Sequence, residues 1–155
     1  MAVSADIVQS WRQPRAVMRR HLARGRSEPF VFSLLVAFLL LAFVAQWPVV
    51  QRQALLLPDR PLVAGLVAVG LALLASIPVF YGLAALSQLA LRLRQGFYAA
   101  RLALFMALLA VSPVVLLHGL VQGMIGPGLQ SQLVGGVAFV GFVAIWVAML
   151  REAAQ

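Results

Sequence analysis

The sequence predicts an all-α polytopic membrane protein with four transmembrane helices, and three observations predict it. First, 63% of the 155 residues are apolar, only 10% are charged, and the mean hydropathy is +0.99. A soluble domain carries about a quarter charged residues and could not cover its surface with so few. Second, the apolar residues form four continuous runs. A transmembrane β-barrel would instead alternate apolar and polar residues over segments of about ten. Third, all twelve basic side chains are arginines, and four spans place ten of them on one side, with only Arg52 and Arg60 on the other. Loops rich in positive charge stay in the cytoplasm, so both termini are expected on the cytoplasmic side. A five-span count would scatter this asymmetry.

Residues 1–28 form a basic N-terminal segment and residues 29–151 the membrane domain. Within the first, PRAVMRRHLARG (residues 14–25) reads as a short interfacial helix. Pro14 suits its first turn and Gly25 its end. Val17, Met18 and Leu22 share one side, and the charges spread over the rest. Arg15, Arg19, Arg20, Arg24 and Arg26 are the expected contacts to anionic headgroups of the cytoplasmic leaflet, each contributing about 1 kcal/mol. Most of this charge serves to set topology, and nucleic acid is not an expected partner. The segment has no small-x-small site after the first apolar run, so it does not read as a cleaved signal peptide.

The first span runs over residues 30–47, opened by Ser27-Glu28-Pro29, a cap and first-turn pair, and closed by Pro48. It matches the roughly 20 residues that cross a bilayer. The second, residues 61–91, is longer and must tilt, kink at Pro78 or extend beyond the bilayer. It has no polar turn near Ser76-Ile77-Pro78 that could split it. The third covers residues 98–121 and the fourth residues 133–150. Trp47, Tyr98 and Trp146 fall near span ends, where aromatic belts sit.

Two of these spans echo one another. ALLASIPV (residues 72–79) and ALLAVSPV (residues 107–114) match at six of eight positions on spans of opposite direction, as inverted transporter repeats do. Leu/Ala-rich helices match one another easily, and that is the reading preferred. Pro78 and Pro113 each remove a backbone hydrogen bond and are expected to kink their helices, with Ser76 and Ser112 supplying donors to the freed carbonyls. They are packing elements first and hinges second.

Coupled transport ordinarily places an ionisable residue within the hydrocarbon layer. Here Arg101 stands at a helical edge, and His118 is the one such residue at depth, a turn before Gln122. The topology brings Gln46 to the same outer depth. A cluster of Gln46, His118 and Gln122 has two readings: a headgroup or quinone-like ligand site with a proton-sensing histidine, or hydrogen-bonding between helices worth about 0.6 kcal/mol each. The second is preferred.

No metal or cofactor site is expected. There is no cysteine, and His21 lies across the membrane from His118. GMIGPG (residues 123–128) is a turn, without the lysine or helix placement of a phosphate loop. The four acids, Asp6, Glu28, Asp59 and Glu152, stand at separate boundaries, so no catalytic constellation forms and no enzymatic activity is expected. Small residues Ala64, Ala68 and Ala72 on the second span, and Gly135, Gly136 and Gly141 on the fourth, permit close helix approach.

Residues 83–119 resemble the bacterial branch of the Yip family of polytopic membrane proteins. The likeness lies in a long helix ending in LSQLALRLRQ, a Gly96-Phe97-Tyr98 linker and a helix with Ser112-Pro113 at mid-depth. IVQSWRQPRAVMRRHLARG, the Gln46-Trp47-Pro48 end and the LHGL…GPG turn are similar to the short α-proteobacterial members. The chain departs from the family in having four spans rather than five. It also lacks the acidic tyrosine motifs of the eukaryotic members, so GTPase binding is not carried over. The resemblance implies a non-enzymatic inner-membrane protein that organises lipid or assists a complex. The expected function is a small scaffold or accessory subunit, with a membrane-protein partner or a homo-oligomer as its protein contact. The alternative is a small transporter or lipid-handling protein hinged at its prolines.

Overall fold

The computed structural model describes residues 3–57, 59, 61–91, 93 and 96–155. Arg60, Arg92 and Arg94, three of the arginines in the topology count, lie outside them. The described residues form six α-helices and no strand: α1 (Val3–Arg12), α2 (Pro14–Ala23), α3 (Glu28–Leu56), α4 (Leu62–Leu91), α5 (Gly96–Met124) and α6 (Leu129–Ala154). The last four are long and apolar enough to cross a membrane, and they mark the chain as a multi-pass membrane protein.

The four long helices alternate in direction. Glu28, Gly96 and Ala154 share one end of the bundle, called the near end below; Leu56, Leu62, Met124 and Leu129 share the far end. At the centre is α5, packed on α3, α4, α6 and α1. From Tyr98 to Ser112 every residue but Arg101 is buried. Small side chains explain this: Ala99, Ala103 and Ala107, four apart, have no exposed surface and let neighbouring helices close in. By contrast α4 is peripheral. Only Ala84 and Ser87 on it are buried, while Val63, Val67, Leu71, Leu74, Val79 and Leu89 are exposed, a surface suited to lipid.

Glycine sets the crossing of α3 and α5 at the far end. A Cβ on Gly119 would lie 1.8 Å from the Ala45 carbonyl oxygen, and one on Gly123 would lie 2.3 Å from Pro48 Cβ. Gly119 and Gly123 form a GxxxG pair, the spacing that lets helix backbones touch.

The structure carries α3 through Pro48 to Leu56, where a stop at Trp47 was expected. Proline removes one backbone bond and its ring crowds the preceding turn. Tertiary contacts beyond it hold the helix on course. Val50 is buried against Gly65 of α4, and Arg52 Nη1 donates to the Met124 carbonyl at 3.1 Å and the Gly123 carbonyl at 3.4 Å. A cation on the last carbonyls of a helix satisfies orphan acceptors and the helix dipole together. Arg52→Ala is therefore expected to cost about 1 kcal/mol. Hydrogen exchange would show the loss as faster exchange confined to the last turns of α5.

Similarly, α5 runs from Gly96 to Met124, beyond the expected residues 98–121 and with the Gly96-Phe97-Tyr98 stretch as its first turn, and α6 extends from Leu129 to Ala154, beyond residues 133–150. Pro78 and Pro113 lie inside α4 and α5. Ser112 Oγ donates to Leu109 O at 2.8 Å, the carbonyl that Pro113 deprives of its usual donor. Ser76 does not do the same for Pro78. Its hydroxyl reaches Leu73 O at 2.6 Å, one residue short of the freed Leu74 carbonyl, because it stands two positions before its proline instead of one.

Candidate functional site

At the near end, α1 and α2 form a helical hairpin packed on α5 and α6. The sequence pointed to α2, with Pro14 in its first turn and Gly25 just past its end at a φ of +89° that favours glycine. Val17 and Met18, expected on one side, are fully buried. The side they face is protein. The amphipathic α1 went unread, although its Asp6 binds α2 and its Trp11 binds α5.

Asp6 is 2% exposed, and its carboxylate holds Arg20 Nη2 on one oxygen and His21 Nε2 at 3.0 Å on the other. Arg20 Nη1 donates to Gln9 Oε1 at 3.0 Å, and buried Ser10 returns its hydroxyl to the Asp6 carbonyl at 2.7 Å. A buried carboxylate is tolerated only when paired and hydrogen-bonded in this way. The His21 ring stacks on Phe30 of α3 at 5.2 Å. At the hairpin turn, Trp11 Nε1 donates to Ala110 O at 2.8 Å, next to the carbonyl freed by Pro113, and its ring covers Gly141 of α6.

Three further ties close this end. Arg19 pairs with Glu152 at 2.9 Å; Arg101 pairs with Glu28 at 2.6 Å and lies over the Phe97 ring; Tyr98 donates to the Gly25 carbonyl at 3.3 Å and accepts the Ser27 N–H at 3.2 Å. Tyr98 is thus a buried tether and not part of an aromatic belt. Of the five arginines expected at headgroups, Arg15, Arg19, Arg24 and Arg26 are exposed, while Arg20 turns inward to Asp6.

Burial pushes the His21 pKa below its ordinary value of 6.5; the hydrogen bond and charge of Asp6 oppose the shift, and the charges of Arg24 and Arg20 add to it. The folded hairpin thus keeps His21 neutral at a pH where the unfolded chain takes up a proton. The stability this confers is complete above 6.5 and is lost as pH falls through the lowered folded value. Protease resistance of α1 and α2 is expected to fall between about pH 7.5 and pH 5. His21→Gln is expected to flatten that profile; an unchanged slope in the variant would assign the effect to another group.

At the far end, the Ala45–Gly119 and Pro48–Gly123 contacts bring Gln46 of α3 to the level of His118 and Gln122 of α5. All three side chains are half-buried, and no hydrogen bond joins them among the described residues. His118 packs against Gly135 of α6, where a Cβ would lie 3.0 Å from its Cε1, and its Nδ1 is buried without a partner. Among the described residues no three His, Cys, Asp or Glu side chains converge as metal ligands would. Of the small residues, Gly135 and Gly141 meet neighbours inside the chain, while Ala64, Ala68, Ala72 and Gly136 face outward. Comparisons of the chain with family models, curated proteins and solved structures found no match.

Proposed function

We propose that the protein is a non-catalytic scaffold or accessory subunit of the bacterial cytoplasmic membrane, of the Yip-like type, with both termini inside. The observation that carries this reading is the outward row of Ala64, Ala68 and Ala72 on a helix that the rest of the chain hardly covers. Small residues facing out of a membrane bundle offer a close approach to another helix, from a partner protein or a second copy. Exposed Arg15, Arg24 and Arg26 add contact with anionic lipid on the cytoplasmic side.

The near-end ion pairs support the same reading, since Asp6 and Glu152 hold the hairpin down and Glu28 ties α3 to α5. A second reading, a transporter or lipid-handling protein hinged at kinks in Pro78 and Pro113, draws on the unpartnered Nδ1 of His118. Purification from native membranes in mild detergent, followed by mass spectrometry, separates the two. The scaffold reading expects a stoichiometric protein partner or a homo-oligomer that Ala68→Leu or Gly136→Leu displaces and His118→Ala leaves in place. Recovery as a monomer with lipid alone would sink it and favour the second reading.

A further inference from the structure

We infer that the near-end cavity between α2, α3 and α5 is a binding site for a phosphate group, in the first place that of an anionic phospholipid headgroup, with Arg24 as its cation. The inference rests on the reading of α3 as a membrane span. The cavity measures about 200 Å³ and is lined by His21, Arg24, Gly25, Ser27, Phe30 and Tyr98.

Its walls are fixed before any ligand arrives. His21 and Tyr98 are each 4% exposed. The histidine is held by Asp6 at 3.0 Å and by stacking on Phe30, the tyrosine by its two backbone hydrogen bonds to Gly25 and Ser27. A cavity whose walls are already ordered loses little entropy on binding.

The charge balance points to an anion. The chain has four acidic residues. Asp6 is taken by Arg20 and His21, Glu28 by Arg101 and Glu152 by Arg19, while Asp59 lies between α3 and α4 at the far end. Arg24 is exposed, lines the cavity and has no carboxylate partner among the described residues. Its planar guanidinium can take two phosphate oxygens at once.

Two further donors stand beside it. Ser27 occupies the N-cap of α3, yet its side chain makes no capping bond, so its hydroxyl and the Phe30 N–H that a cap would engage are open to an acceptor. The depth also fits. Phe30 begins the apolar run of α3, and the Glu28–Arg101 pair marks its polar edge, which is the level of lipid phosphates.

The test is native mass spectrometry of the full chain in neutral detergent, titrated with phosphatidylglycerol, with diacylglycerol lacking any phosphate, and with glycerol 3-phosphate as a soluble competitor. The expected result is one retained phosphatidylglycerol and no retained diacylglycerol. Arg24→Gln should weaken retention about fivefold to tenfold, and Arg24→Lys, which keeps the charge but loses the fork, should fall between. Arg12→Gln makes the same charge change on the exposed end of α1 and should leave retention within about twofold. Competition by glycerol 3-phosphate at about millimolar concentration would make free phosphate the ligand of the same site; no competition would make it the lipid.

Equal weakening by Arg24→Gln and Arg12→Gln would overturn the proposal in favour of diffuse charge, as would failure to retain either phosphate compound. Melting curves of each variant separate lost binding from lost fold. Because the measurement needs no protein partner, failure of the scaffold reading leaves its outcome intact. A chain that stays soluble without detergent would remove the span reading itself.

Discussion

Gly119→Leu is expected to abolish the packed four-helix bundle, where Gly136→Leu leaves its stability unchanged. Both residues are glycines inside apolar helices, and composition cannot separate them. At Gly119 even a methyl group would sit 1.8 Å from the Ala45 carbonyl oxygen and 2.7 Å from its carbonyl carbon. Those atoms are backbone and cannot rotate away, so α3 and α5 must move apart. The separation would pull Gly123 off Pro48 and Arg52 off the carbonyls at the end of α5. Overpacking of this kind costs about 3 kcal/mol or more. At Gly136 an added side chain meets nothing within 4 Å. Thermal unfolding of the two variants in the same detergent checks the contrast. Similar melting temperatures would mean that the α3–α5 crossing is not the tight contact described.

Asp6→Ala is expected to release the N-terminal hairpin while the four long helices stay folded. The substitution leaves Arg20 and His21 facing a buried space without their carboxylate, and breaking one member of a buried pair costs about 3 kcal/mol. A hairpin of two ten-residue helices has no comparable reserve, because isolated helices shorter than about 12–15 residues are marginal. The expected readout is fast hydrogen exchange and proteolysis throughout α1 and α2, and in the newly uncovered stretch of α5 around Ala110. Exchange near Gly119 should not change. Asp6→Asn keeps the shape but not the charge and should show a smaller effect of the same kind. Protection of α1 as strong in Asp6→Ala as in the parent chain would remove Asp6 from its place as the clasp.

The predicted effects differ in how far they could be read from sequence. The number of the four long helices and their apolar middles, though not their ends, were legible because a continuous apolar run is a local property, set by composition over about 20 residues. The side of α2 that carries Val17 and Met18 was legible for a like reason, since helical periodicity decides which residues share a face. So was the role of Ser112, whose hydroxyl is one residue from its proline.

The hairpin was not legible. Asp6 looks like a lone surface acid, and Arg20 and His21 read as part of a basic surface. Only tertiary structure brings residues from α1 and α2 together against α5. Nor could sequence show that α3 passes through Pro48, because the contacts that hold it there come from Gly65, Gly123 and Met124 on other helices. Among the small residues, spacing alone selected Ala64, Ala68 and Gly136, which face outward, and passed over Gly119, Gly123 and the alanines of α5, which lie at the tightest crossings. In a chain this apolar every face of every span is compatible with lipid. The hydrophobic pattern that tells a soluble helix which side to bury therefore carries little signal, and the choice falls to steric fit between backbones. The sequence by itself determined that there are four long apolar helices and roughly where they lie; which faces meet, and which charges are spent inside the fold, only the packed structure decided.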